Sequence, residues 1–278
     1  DFYIGKPFTV MKLNNNTVGA TMSYYNYGYN MNIVRKYTRV LSYFLKKDPL
    51  LINVLFKDPI DLPEMLLLTL RNTLVNAISS EVIKNFKIGY PVINKDNKKL
   101  FKILNYDDFT KNNQITVIGY GGYLYTLLSY KKIRNIYVAD KQYGEPYFET
   151  AISDLQFIRK KHPDKNIIVD NGTSLKEQLS KSRVAFITGS ALSNGTMEEL
   201  LKACDKVESV VIQGESCSIY PKVLFNKYKN IKWIETTIKP ENTLDILDKE
   251  FEFFRNDFFE TYLDYICILN KKKRGIII

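Results

Sequence analysis

From Gln114 onward the hydrophobic pattern repeats one unit: a short apolar run, a small or polar turn, then a stretch with helical spacing. The apolar runs fall at residues 115–118, 136–139, 167–169, 184–187, 210–212 and 231–234. Helical patterns lie between most of them, over residues 123–130, 148–160, 174–180, 197–204 and 221–227. Strands apolar on both faces, alternating with helices, belong to a parallel sheet covered on both sides. Right-handed crossovers then make that sheet doubly wound. The expected fold class is therefore α/β, with a doubly wound, mostly parallel, Rossmann-like sheet.

Residues 1–108 follow a different grammar and read as a smaller α+β domain ahead of the sheet, which takes residues 109–278. Alternation over residues 8–13 and 17–24, broken by Asn14, Asn15 and Asn16, predicts a hairpin. A loop rich in tyrosine follows (Tyr24, Tyr25, Tyr27, Tyr29), then a helical pattern over residues 31–44. Asp61-Leu62-Pro63-Glu64 reads as a helix start, with Asp61 as cap, and the helix is expected to reach about Lys84. No repeat at solenoid periods is found.

In an open parallel sheet, ligands bind beyond the carboxyl ends of the strands. The first run ends in Gly119-Tyr120-Gly121-Gly122, a turn that lets backbone N–H groups approach a ligand. Leu124 stands where a dinucleotide fingerprint wants its third glycine, so a purely structural turn competes with a pyrophosphate cradle. The second run ends in Asp140, where an acid commonly meets ribose hydroxyls. The third ends in Asp170, suited either to an adenine edge or to capping the next helix. After the fourth come Thr188, Gly189, Ser190, Asn194 and Thr196. Thr196 and Glu199 have capping-box spacing, which leaves Thr188, Gly189, Ser190 and Asn194 to be explained otherwise. The loop after the fifth run brings Glu215 and Cys217 as reactive candidates.

The segment Thr188-Gly189-Ser190-Ala191-Leu192-Ser193-Asn194-Gly195-Thr196, leading into Leu200-Leu201, resembles the signature of the heavy-metal chelation family of bacteria and archaea. Val117-Ile118-Gly119-Tyr120-Gly121-Gly122 is similar to that family's glycine region, and residues 214–221 occupy the place of its proline-containing loop, with Glu215 replacing a proline. The resemblance implies an enolase-N-terminal-like small domain followed by a Rossmann-like domain, over nearly the whole chain. It leaves room for a homodimer.

Composition changes the picture mainly by exclusion. The chain has 278 residues, 45% of them hydrophobic, which is too many for intrinsic disorder. No run of eighteen apolar residues occurs, so no membrane partner is expected. The opening residues lack a basic stretch followed by an apolar one, so the expected location is cytoplasmic. The net charge of +10 is spread along the chain rather than gathered between aromatics, which argues against a nucleic-acid partner. The three cysteines, Cys204, Cys217 and Cys267, form no paired motif, and His162 is the one histidine. No metal site is expected from these donors. What remains is a small-molecule ligand. Glycine turn, acid and acid at the ends of successive strands suit S-adenosylmethionine better than NAD, pointing to a transferase or lyase. Tyr25, Tyr27 and Glu215 are the catalytic candidates, and Gly119, Tyr120, Gly121, Gly122, Asp140, Asp170, Thr188, Gly189, Ser190, Asn194 and Thr196 the cofactor-binding ones. The alternative is a protein that binds a metal ion or metal chelate without turnover.

Overall fold

The computed structural model describes residues 2–4, 8–22, 36, 39, 55–56, 63–85, 89–95, 97–106, 109–110, 112–120, 123–141, 149–243 and 264–270. Strands β1 (Phe2–Ile4), β2 (Phe8–Lys12) and β3 (Val18–Met22) form an antiparallel sheet in that order. Asn16 takes the turn between β2 and β3 at φ 64°, a left-handed conformation that asparagine tolerates. Helix α1 (Glu64–Lys84) lies across this sheet. The approach is so close that a Cβ on Gly19 would sit 2.3 Å from the backbone of Thr73 and Ala77. Pro63 holds the cap position of α1 without a side-chain cap, and the expected cap Asp61 lies outside the described residues.

The larger sheet has eight strands: β4 (Val92–Asn94), β5 (Gln114–Ile118), β6 (Asn135–Ala139), β7 (Asn166–Asp170), β8 (Ser182–Thr188), β9 (Ser209–Gln213), β10 (Ile231–Ile238) and β11 (Asp264–Leu269). Their order is β4-β11-β10-β9-β8-β5-β6-β7. Strands β5 to β10 pair in parallel, while β11 runs antiparallel between β10 and β4. All six apolar runs became strands of this sheet. The sheet also draws in residues ahead of position 108, because β4 pairs with β11 and helix α2 (Asn97–Ile103) packs Leu100 and Phe101 into its core.

Helices α3 (Tyr123–Leu128), α4 (Glu149–Lys161), α5 (Leu175–Lys181), α6 (Ser190–Ser193), α7 (Met197–Ala203) and α8 (Lys222–Lys227) complete the described elements. Alternate strand residues feed two cores. Val117, Val138, Phe186, Val211, Trp233 and Cys267 face one side with Leu100, Leu127 and Leu155. Ile118, Ala185, Ile187, Ile212, Ile234 and Ile266 face the other with Ile83, Leu201 and Phe225. This double burial is why the strands read as continuous apolar runs.

The buried face of α1 mixes Leu66, Leu70, Leu74 and Ala77 with Thr69, Asn72, Thr73, Asn76 and Ser79, whereas Ile78 is half exposed. Polar burial on this scale needs internal partners. Asn76 Nδ2 donates to Ala20 O at 2.8 Å and Thr21 Oγ1 at 3.1 Å. Asn72 Nδ2 shares its two hydrogens among Thr21 Oγ1, Ser193 Oγ and Ser216 O, at 3.2 to 3.3 Å. One side chain thus ties the hairpin to the loops that follow β8 and β9. No helix among the described residues is long and apolar enough to cross a membrane.

Candidate functional site

The strand order reverses between β5 and β8: the chain moves outward from β5 through β6 to β7, then returns to the other flank of β5. Such a switch point opens a crevice at the carboxyl edge. Gly119 ends β5 there at φ +90°, and Thr188 ends β8 beside it. A Cβ on Gly119 would lie 2.5 Å from Thr188 Cγ2, so only glycine fits. Asp140 follows β6, and its Oδ2 accepts the Tyr120 N–H at 2.7 Å. The acid of the second strand therefore fixes the glycine turn of the first.

Registers extend this pairing into a row. Ile118 pairs with both Ala139 and Ile187, so one residue further on Gly119 lies between Asp140 and Thr188. Thr188 pairs with Gln213, and Gln213 with Glu235. By the two-residue period of strands, Asp140, Thr188, Gln213 and Glu235 share the face of Val138, Phe186, Val211 and Trp233.

Asp170 belongs to the opposite face. Its Oδ1 accepts the Tyr137 hydroxyl at 2.5 Å and the Gly172 N–H at 2.6 Å. Its Oδ2 accepts the Ser174 hydroxyl at 2.5 Å and the Ser174 N–H at 3.3 Å. Burial pushes this carboxyl up, but the hydrogen bonds from Ser174, Tyr137 and Gly172 outweigh it and hold it below the ordinary range. Of the roles the sequence left open, the structure builds the local turn, while the cap position of α5 falls to Ser174, which has no side-chain cap bond. Tyr137 is pushed upward by burial and by the neighbouring carboxylate.

The loop after β8 is packed rather than open. Thr188 Oγ1 and Ser190 Oγ are 2.6 Å apart, and Ser190 and Ser193 are buried. A Cβ on Gly189 would stand 2.0 Å from Cys217 Sγ. The capping box expected at Thr196 is not formed, because Thr196 makes no side-chain cap bond and its hydroxyl donates to Asn194 Oδ1 at 2.7 Å. Asn194 and Thr196 thus close a local turn on each other. After β9, Glu215 opens a 3-10 turn (Glu215–Cys217), and its carboxylate accepts from the Thr237 hydroxyl. The buried Lys239 ammonium donates to Glu215 O at 3.0 Å and Ser218 Oγ at 2.7 Å, and lies 3.8 Å from Glu215 Oε2. Burial lowers the Lys239 pKa against the pull of Glu215.

Cys217, a reactive candidate by its place in a loop, is fully buried, and burial holds its thiol well above the ordinary range. Burial pushes Cys204 up to about 12 and raises Cys267 as well. Heavy-metal capture by cysteine needs thiolates. Among the described residues no three His, Cys, Asp or Glu side chains group as metal ligands. Tyr25, Tyr27, Gly121 and Gly122 lie outside the described residues.

Sequence reasoning passed over Gln213, Glu235 and Asn72. Gln213 closes an apolar strand run just as Asp140 does, so the same strand-end rule points to it, whereas Glu235 follows the run of residues 231–234 but stands inside β10. Asn72 carries no such mark, because its partners lie 51 to 144 residues away.

The fold is shared with solved structures of two proteins of unknown function. One, from Pyrococcus horikoshii, is 14% identical over 97% of this chain and 91% of that one, with a TM-score of 0.60. The other, from Desulfitobacterium hafniense DCB-2, is 12% identical over 97% and 90% of the two chains, again with a TM-score of 0.60. Both are from the DUF364 family. No curated protein matches the sequence. Residues 102–248, more than half of the chain, match the model of that same family, and the chain belongs to DUF364, described as "Putative heavy-metal chelation".

Proposed function

We propose that the chain binds an adenosine-containing small molecule across the Asp140, Gly119 and Thr188 positions, with S-adenosylmethionine the best candidate, which would make it a transferase or lyase. One observation carries this reading: the switch point of the sheet brings a side-chain-free glycine turn and a strand-end carboxylate into one row. An acid at the end of the strand that follows a glycine turn suits ribose hydroxyls.

The family description favours a second reading, chelation of a metal ion. The donor set does not fit it, since the three thiols are buried and held protonated and the described residues gather no ligand cluster.

Calorimetric titration with S-adenosylmethionine, S-adenosylhomocysteine and NAD tests the proposal. Binding of the first two is expected, with Asp140→Ala weakening it at least tenfold while the circular dichroism spectrum stays that of the wild type. If none of the three binds at millimolar concentration, the proposal fails. Stoichiometric zinc or cadmium binding without them would turn the reading to chelation.

A further inference from the structure

Two asparagines of the chain stand directly before a glycine, Asn171 and Asn194. Such a pair can react with itself, because the glycine nitrogen reaches the side-chain carbonyl of the asparagine with no Cβ in the way. The fold treats the two pairs differently. Asn194 is half-buried, and its Oδ1 accepts the Thr196 N–H at 3.2 Å and the Thr196 hydroxyl at 2.7 Å. Both bonds pass over Gly195 and commit the amide to the residue beyond it. Asn171 is exposed in the turn after β7, and its side chain has no hydrogen-bond partner among the described residues. Gly172 follows at φ +94°, with nothing within 4 Å of the place a Cβ would take. One contact restrains this second pair. The Gly172 N–H donates to Asp170 Oδ1 at 2.6 Å, and Asp170 is itself fixed by the hydroxyls of Tyr137 and Ser174. To attack, the nitrogen must give up that hydrogen, and a carboxylate beside it opposes negative charge there. The turn thus joins an open side-chain carbonyl to a guarded nitrogen.

We propose that Asn171 is a site of spontaneous modification, converted to aspartate and isoaspartate at a rate set by the bond between Asp170 and the Gly172 N–H. The Gly172 nitrogen forms a bond to Asn171 Cγ and gives up its proton. The Cγ–Nδ2 bond breaks, and the amide nitrogen leaves with that proton as ammonia. The cyclic imide left behind takes up one water. Opening its bond between Cγ and the Gly172 nitrogen gives aspartate. Opening its bond between the Asn171 backbone carbonyl carbon and that nitrogen gives isoaspartate, whose main chain runs through the side chain. Water is the one co-reactant, and nothing is oxidised or reduced. Either product sets a new carboxylate next to Asp170, where like charges repel. Isoaspartate also lengthens the main chain between β7 and α5 by one carbon. The turn that gathers Tyr137, Gly172 and Ser174 around Asp170 is loosened by its own neighbour.

Ageing the full chain at neutral pH and physiological temperature tests this, with the guanidinium-unfolded chain aged in parallel. Peptide mass mapping reads the conversion of amide to acid at each asparagine, and labelling by an isoaspartyl methyltransferase reads isoaspartate. In the folded protein Asn171 is expected to convert at least tenfold faster than Asn194, and more slowly than it does in the unfolded chain. In the unfolded chain the two should convert within twofold of each other. Asn171→Gln should abolish the label at this peptide, because a six-membered ring closes far more slowly. Asp170→Asn keeps an acceptor for the Gly172 N–H without the charge, and conversion at Asn171 should then speed up severalfold. Equal rates at Asn171 and Asn194 in the folded protein would overturn the site. So would an Asn171 still intact after tenfold longer than the unfolded chain needs. A rate unchanged or lowered in Asp170→Asn would overturn the control assigned to Asp170.

Discussion

Asp170 shows how a residue can satisfy a motif and still be occupied elsewhere. Four donors surround its carboxylate, and they keep it ionised below the usual range. A carboxyl with a depressed folded-state pKa contributes stability that is present above its unfolded value, 3.8 here, and lost as pH falls through the folded one. The melting temperature of Asp170→Asn should therefore lie below that of the wild type at pH 7. The gap should close as pH drops below about 4; thermal melts between pH 7 and 3 would show it. Gly189 makes a different demand. Its φ of −63° suits any residue, so the requirement comes from its neighbours: Cys217 Sγ at 2.0 Å and, less tightly, the backbone atoms Cys217 N and Gln213 O at 3.2 Å. Gly189→Ala should destabilise by about 1–3 kcal/mol, as overpacking does. Adding Cys217→Ala should restore part of the loss, because the clashing sulfur is then gone while the backbone contacts at 3.2 Å remain. Urea unfolding of the two single variants and the double variant measures this, and equal destabilisation with and without Cys217 would show that the contact is not the cause.

At the scale of elements, the parallel strands were legible and the polar packing was not. Strands β5 to β10 sit where the apolar runs sit, because burial on both faces leaves little freedom in their composition. The hairpin and the long helix were legible too, from Asn14-Asn15-Asn16 and from the start at Pro63-Glu64. What α1 packs against was not. A helix that buries Asn72, Thr73 and Asn76 beside leucines shows no clean apolar stripe, and the partners of those amides come from distant segments. The strand-end rule likewise named Asp140 and Asp170 together, although their side chains take opposite faces of the sheet. Only the registers reveal which residues share a face with Gly119. Asn72→Ala should cost about 1–2 kcal/mol, since it removes a donor shared by Thr21 Oγ1, Ser193 Oγ and Ser216 O, while Asn76 still donates to Thr21. Denaturant unfolding would report the loss, and a cost under a few tenths would mean water replaces the amide.

Across the whole molecule, the small antiparallel sheet and α1 sit against the loops that follow β8 and β9. That contact buries Ser193 and Ser216 and leaves the glycine turn and Asp140, on the other side of the switch point, clear of α1's polar bonds. Not all of the charge behind the net +10 is at the surface: Lys165 is buried on Tyr130 O and Ile133 O, and Lys239 is buried on Glu215 O. The reversed strand β11 carries the last consequence. It joins β10 to β4, and so couples a segment near residue 93 to one near residue 267. Contacts so distant in sequence close late in folding, after the local parallel pairs have formed. Pulse-labelling hydrogen exchange should find the amides of β5 and β6 protected before those of β4. Lys95 directly follows β4, and its Nζ lies 2.7 Å from Glu235 Oε1, so this ion pair joins two segments 140 residues apart. The pair is therefore a contact of high sequence separation, and its formation should report late closure of this side of the sheet.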